Sequence, residues 1–234
     1  MSRSVLVTGG NRGIGLAVAR AFAGDGDKVA VTYRTAEPPA DLPGYRCDVT
    51  SGEEVDRAVT DVETLHGPVE VLVANAGMTR DKLLLRMTED DFDATLDANL
   101  KGAFRVAKRV APAMLKARRG RMVFISSTVG LRGERGQSNY AASKAALIGF
   151  ARSLAWEFGP RGITVNVIAP GLTDTDMTSV LPEQRIADMC TQIPLQRMAS
   201  PEEIAEVVRF VASPGASYLT GAVIPVDGGA SMGH

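Results

Sequence analysis

The amino-acid sequence predicts an α/β fold: a single doubly wound domain built on a mostly parallel sheet of seven strands. Three observations lead there. Short runs rich in valine and isoleucine recur along the chain, each followed by a longer segment of helical character. These runs are continuously apolar rather than alternating, which suits strands covered by helices on both faces. The first of them ends in a glycine-rich turn that opens straight into a helical segment, as the first turn of a doubly wound sheet does.

Taken in order, strands are expected at 4–8 (SVLVT), 28–33 (KVAVTY), 44–47 (GYRC), 69–74 (VEVLVA), 121–126 (RMVFIS), 164–168 (TVNVI) and 222–226 (AVIPV). Helices are expected between them, near 13–25, 52–65, 89–98, 102–118, 138–158, 183–190 and 201–212. The last has a strong start: Ser200 as cap, Pro201 in the first turn, then Glu202 and Glu203. Residues 36–44 hold three prolines. Too little chain precedes them to form a domain of its own, so they read as a surface loop. The expectation is one domain, 1–234.

Composition sets the outer limits. At 234 residues, 45% hydrophobic and 23% charged, the chain can bury a substantial core. A formal net charge of −1 argues against a nucleic-acid partner. Val5-Leu6-Val7 is too short for the core of a signal peptide, and no stretch is long enough to span a bilayer. Cys47 and Cys190 lack the close Cys or His neighbours of a zinc site, and read as reduced, buried thiols. The expected compartment is therefore the cytoplasm, with neither a metal nor a membrane partner.

The turn after the first strand reads Thr8-Gly9-Gly10-Asn11-Arg12-Gly13-Ile14-Gly15. Backbone N–H groups and a helix N-terminus offered together suit a pyrophosphate, which makes the expected domain Rossmann-type. The spacing from Gly9 is G-x-x-x-G-x-G rather than G-x-G-x-x-G. The second strand then ends in Thr32-Tyr33-Arg34, with no acid to hold a ribose 2′-OH. Arg12 and Arg34 are instead available to a 2′-phosphate, so the expected cofactor is NADPH/NADP+. Read by themselves, both arginines fit a solvated surface equally well.

Tyr140 and Lys144 lie four apart in SNYAASKAAL, hence on one face of a helix. Alone, the pair is no more than good helix-forming sequence. The chain also contains Cys47-Asp48-Val49, Asn75-Ala76-Gly77, Asn99, Ile125-Ser126-Ser127 and Pro170-Gly171, in that order. The whole set resembles the short-chain dehydrogenase/reductases, over almost the full chain. Asn75–Asp81, Asn139–Ala145, Gly162–Gly171 and Asp174–Thr178 look like the 3-oxoacyl-[acyl-carrier-protein] reductases of fatty-acid synthesis, and the chain's opening resembles their actinobacterial branch.

The resemblance implies roles. Tyr140 matches the family's proton donor, and Lys144 holds the ribose hydroxyls. Its ammonium is also expected to lower the phenol's pKa. Ser127 would hydrogen-bond the substrate carbonyl, and Asn99 would hold a water linking Lys144 to solvent. Asp48 and Val49 would flank the adenine, Asn75 and Gly77 would line the cofactor trough, and the Thr173 backbone would meet the carboxamide. His66 and His234 are poorly placed to serve a serine nucleophile, which argues against a hydrolase.

Residues 173–200 are expected to form a substrate lid, with Met177, Val180, Leu181, Ile186, Met189 and Ile193 supplying apolar character. For most of these, packing onto the domain explains the character as well. Arg118 and Arg161 match positions the family uses to dock acyl carrier protein. The run Lys116, Arg118, Arg119 and Arg121 is also what a helix C-terminus favours without any partner. Four positions depart from the family pattern: Glu134 and Arg135 where small residues are usual, Thr173 where an aliphatic one is, and Trp156 where arginine is common. The resemblance implies a homotetramer. Two other functions remain open, namely reduction of another ketone (an acyl-CoA or polyketide intermediate) and a cofactor-binding regulator without turnover.

Overall fold

A computed structural model describes residues 2–179 and 181–232. Val180 and His234 lie outside the described residues. The strands are β1 (Ser4–Val7), β2 (Lys28–Tyr33), β3 (Gly44–Arg46), β4 (Val71–Ala74), β5 (Gly120–Ile125), β6 (Ile163–Pro170) and β7 (Val223–Val226). They form one sheet in the order β3-β2-β1-β4-β5-β6-β7, and every pairing is parallel. The expected mostly parallel sheet is parallel throughout. Each crossover contains a helix or a long excursion, so no hairpin arises to reverse a strand.

The helices are α1 (Gly13–Gly24), α2 (Gly52–His66), α3 (Glu89–Leu96), α4 (Gly102–Ala117), α5 (Val129–Arg132), α6 (Ser138–Phe158), α7 (Glu183–Thr191) and α8 (Pro201–Val211). Side chains along each strand point alternately to two faces, and this divides the core in two. Leu6, Ala30, Leu72, Met122 and Phe124 face α2, α4 and α6. Their neighbours Val5, Val7, Val31, Val73 and Val123 face α1 and α8. Both faces are covered, which is why the strand sequences do not alternate.

Two local features place the later residues. Between α3 and α4 the helix widens into a π turn, Asp97–Lys101, and Asn99 is buried within it. Such turns re-aim side chains out of the regular helical stripe. The short helix α5 packs against α6 at Gly130, where an added Cβ would lie 2.9 Å from the Lys144 carbonyl carbon. Glycine is what allows that approach.

The start of α8 is the one the sequence anticipates. Ser200 Oγ accepts the Glu203 N–H at 3.3 Å, and the Glu203 carboxylate accepts the Ser200 N–H at 2.9 Å. Ser200→Ala is expected to cost about 1 kcal/mol. Urea unfolding should show a lower midpoint with an unchanged slope.

Candidate active site

The order in which strands are added reverses between β1 and β4, because β2 and β3 lie on one side of β1 and β4 to β7 on the other. In doubly wound folds a crevice opens there, at the carboxyl ends of the strands. The residues that follow β1, β2, β4, β5 and β6 all meet at this edge.

On one side lies the glycine turn. Gly9 and Gly13 have φ values of +63° and +51°, in the left-handed region. A Cβ on Gly15 would fall onto the Gly9 carbonyl and the Asn75 side-chain amide. That amide donates to the carbonyls of Thr8 and Gly9, both at 3.0 Å. Asn75 thereby fixes the turn from β4, and Ile14 and Gly15 open α1 behind it. The cradle fits a dinucleotide's phosphates: backbone lies bare where side chains would obstruct, and a helix N-terminus faces it.

The second cofactor corner is stitched to the first. The Gly10 N–H donates to the Thr32 carbonyl at 3.1 Å, and Asn11 Nδ2 donates to the Ala36 carbonyl at 2.9 Å. Arg34 is exposed just after β2. Arg12 is also exposed, but its guanidinium is directed at Asp176, 3.5 Å away, in the segment that follows β6. Asp48 accepts from the Thr50 N–H and hydroxyl at 2.9 and 2.7 Å. Burial works against its charge, yet those bonds and the charges of Arg34 and Arg105 hold its carboxyl below the usual range. Val49 is buried against Gly102.

On the other side, the first turns of α6 bring Tyr140 and Lys144 against the end of β5. Tyr140 is half-buried, and the Ser127 hydroxyl stands near enough to its phenol to favour the phenolate. Ser127 Oγ also accepts the Val129 N–H at 3.1 Å. Lys144 is 4% exposed. Its Nζ donates to the Ile125 carbonyl at 2.7 Å and stands 5.7 Å from the centre of the Tyr140 ring.

Asn99 completes the group. Its Oδ1 accepts the Met78 N–H at 2.8 Å, and its Nδ2 donates to the Met78 carbonyl at 3.0 Å and to Ser143 Oγ at 2.9 Å. A Cβ on Gly77 would lie 3.0 Å from Asn99 Oδ1 and 3.5 Å from Lys144 Nζ, so Gly77 separates the two. Thr173 is buried, and its hydroxyl donates to the Gly171 carbonyl at 3.0 Å. An aliphatic residue cannot form that bond.

The electrostatics differ from the sequence expectation. Burial pushes the Tyr140 phenol up to about 12, and the Ser127 hydroxyl only partly opposes it. Burial pushes the Lys144 ammonium down to about 8. Both charged forms lose hydration at this depth, and the ammonium is engaged with a carbonyl rather than aimed at the phenol oxygen.

Other expected residues lie elsewhere. Arg118 and Arg161 are neighbours, since Arg118 Nη2 donates to the Pro160 carbonyl at 3.1 Å. They precede β5 and β6, however, at the opposite edge of the sheet from Ser127. The six residues of β5 alone put about 20 Å between the two edges. Arg119 pairs locally with Glu70 at 3.1 Å. His66 ends α2 at that same distant edge. Cys47 is buried as expected, but Cys190 is only half-buried. Ile193 is buried against Gly228, while Met177 is 53% exposed.

The comparisons with known proteins agree with this geometry. A family model described as enoyl-(acyl carrier protein) reductase matches residues 9–231. The 3-oxoacyl-[acyl-carrier-protein] reductase MabA of Mycobacterium tuberculosis is 56% identical over 234 residues, covering 100% of this chain and 95% of the relative.

The chain belongs to the short-chain dehydrogenase/reductase family.

The Mycobacterium avium MabA is 53% identical over the full chain and 92% of its own length. The Escherichia coli 3-oxoacyl-[acyl-carrier-protein] reductase FabG is 43% identical over 235 residues, 97% of this chain and 96% of its own. As a short-chain reductase the protein is an oxidoreductase that uses a nicotinamide cofactor. No helix among the described residues is long and apolar enough to cross a membrane.

Two polar residues at the site carried no role in the sequence reading. Asn139 and Ser143 are both fully buried, four apart on α6, and hydrogen-bonded toward α3 and Asn99. Polar residues at helical spacing beside Tyr140 were the available signal.

Burial of Lys144 has a signed consequence for stability. Below about pH 8 the ammonium is charged in both folded and unfolded protein, and the folded form carries the full cost of burying it. Between about 8 and its ordinary 10.5, the unfolded chain binds the proton more tightly, so stability rises with pH. Lys144→Met is expected to be more stable than wild type at pH 7, by up to about 3 kcal/mol. Urea titrations across pH should show that gap closing between 8 and 10.

Proposed function

We propose that the protein reduces 3-oxoacyl-[acyl-carrier-protein] to the 3-hydroxyacyl form in fatty-acid synthesis, with NADPH as reductant. The observation that carries the chemistry is the Tyr140 ring 5.7 Å from the Lys144 ammonium, which is itself held at the end of β5 by the Ile125 carbonyl two residues before Ser127. When bound, the reduced nicotinamide supplies a hydride to the ketone carbon. Ser127 donates a hydrogen bond to the ketone oxygen and orients it. Tyr140 gives that oxygen its proton as negative charge develops there, and a phenol that stays neutral at pH 7 is in the form the step requires. Lys144 binds the ribose hydroxyls, and its charge stabilises the phenolate left behind. Asn99 holds a water that links Lys144 to solvent and returns the proton.

The substrate follows from the relatives' printed activity and their identity over the whole chain. NADPH is supported by the absence of an acid at the end of β2 and by the exposed Arg34 at that corner. Residues 173–200 form the lid. Its two ends meet in a parallel bridge between Thr173 and Ala199, so it leaves β6 and enters α8 at one point. Residues 1–234 act as one domain. The outer faces of α4 and α6 expose Phe104 and Trp156, at 45% and 86%, which supports a homotetramer paired through these helices. In such an assembly, a carrier held by Arg118 and Arg161 serves the crevice of another subunit, because its own lies at the far edge.

NADPH oxidation is to be measured with acetoacetyl-carrier protein and with acetoacetyl-CoA. A higher kcat/KM on the carrier form supports the assignment, and equal values sink it in favour of a general ketone reductase. Tyr140→Phe should lose about 100- to 10,000-fold in kcat while binding NADPH normally. Full activity of that variant would remove Tyr140 from the chemistry. Arg34→Ala should weaken NADPH about tenfold and leave NADH unchanged, a charge-assisted contact being worth roughly 1.5 kcal/mol or more.

A further inference from the structure

We propose that Asn139 is a positioning residue for proton transfer: its buried carboxamide fixes where the Tyr140 phenol stands relative to the elements that carry the rest of the site. The proposal rests on the reading of Tyr140 as proton donor.

Asn139 is 0% exposed and directly precedes Tyr140. The helix they share begins without a conventional cap, since Gln137 makes no side-chain bond to it. N–H groups in the first turn of a helix have no partner inside the helix. Asn139 Oδ1 takes the Tyr140 N–H at 2.8 Å. The amide's other end reaches away from α6. Nδ2 donates toward the Arg80 carbonyl at 3.0 Å, the Asp91 carbonyl at 3.1 Å and Thr95 Oγ1 at 3.1 Å.

Those acceptors belong to two different parts of the site. Arg80 lies on the segment that leaves β4 through Asn75 and Gly77. Asp91 and Thr95 lie on α3, which runs into the π turn bearing Asn99. One planar group therefore links the turn of Tyr140 to the cofactor trough and to the helix that places Asn99. A displacement of about 1 Å in such a group is costly to catalysis even where binding survives.

Fastening α6 to its neighbours does not by itself require this amide. Lys82 pairs with Asp91 at 2.7 Å, the Lys82 N–H donates to the Gly136 carbonyl at 2.8 Å, and Gln137 donates to Asp81 at 2.7 Å. These ties join the same segments at the surface. What Asn139 adds is a bond to the backbone of Tyr140 itself. Leucine has a similar shape but strands that N–H, and aspartate offers only acceptors to two carbonyls.

The test compares wild type with Asn139→Ala in the full chain, on whichever ketone the wild type reduces. Rates are expressed per site that binds NADPH, so unfolded protein does not count. The expected result is a kcat at least tenfold lower, NADPH affinity within twofold, and a larger solvent deuterium isotope effect on kcat, because proton transfer has become the slow step. Asn139→Ser, which leaves a smaller hole, serves the same comparison should the alanine variant not fold. A kcat per binding site within twofold of wild type, or an unchanged isotope effect, overturns the proposal. Failure of the wild type on the carrier thioester overturns only the substrate assignment, and full activity of Tyr140→Phe overturns the proton donor and this proposal together.

Discussion

The ammonium of Lys144, shut away from water in the second turn of α6, donates to the carbonyl of Ile125, the last residue of β5. A charge in that position is costly unless the chain supplies partners for it. Much of the surrounding structure is arranged to do so. Ser126, next along from Ile125, donates its hydroxyl to the carbonyl of Lys144 at 2.8 Å. Strand and helix thus grip each other in both directions at one point. Gly130 lets α5 close over that point, and Gly77 leaves Asn99 and Lys144 separated by no side chain. The register of α6 against the sheet follows from these contacts, and Tyr140 is carried one turn away.

Burial then sets the resting state of both titrating groups. Burial favours the protonated phenol and weakens the ammonium's hold on its proton, so both groups are pushed toward their neutral forms. Sequence spacing led to the opposite expectation for the phenol, because an i,i+4 pair suggests a cation aimed at an oxygen. Depth decides otherwise. The direction of a side chain's ammonium depends on which carbonyl lies nearest, and the nearest one belongs to β5.

All seven strands, and the 138–158 span of α6, were legible because apolar runs and helical stretches are written in local sequence. The α8 start was legible because a cap needs only its own four residues. The π turn at Asp97–Lys101 was not, since it reflects how α3 and α4 are each held by other elements. Neither was the placement of Arg118 and Arg161. Their proximity to each other comes from the pairing of β5 with β6, and their distance from Ser127 from the direction in which those strands run through the sheet. Asn139 was visible only as part of a motif, because its three acceptors come from segments 44 to 59 residues away.

The bridge between Thr173 and Ala199 has a further meaning. It closes the neck of a long excursion, with Ala199 N–H donating to the Leu172 carbonyl and Asp174 N–H to that of Ala199, both at 2.9 Å. Beyond the neck the excursion returns to the chain just after β7, where the Leu195 N–H donates to the Gly228 carbonyl at 3.3 Å. Such a closed loop is a module over evolutionary time. Its length and composition can drift while the strand pairing at its base keeps its register.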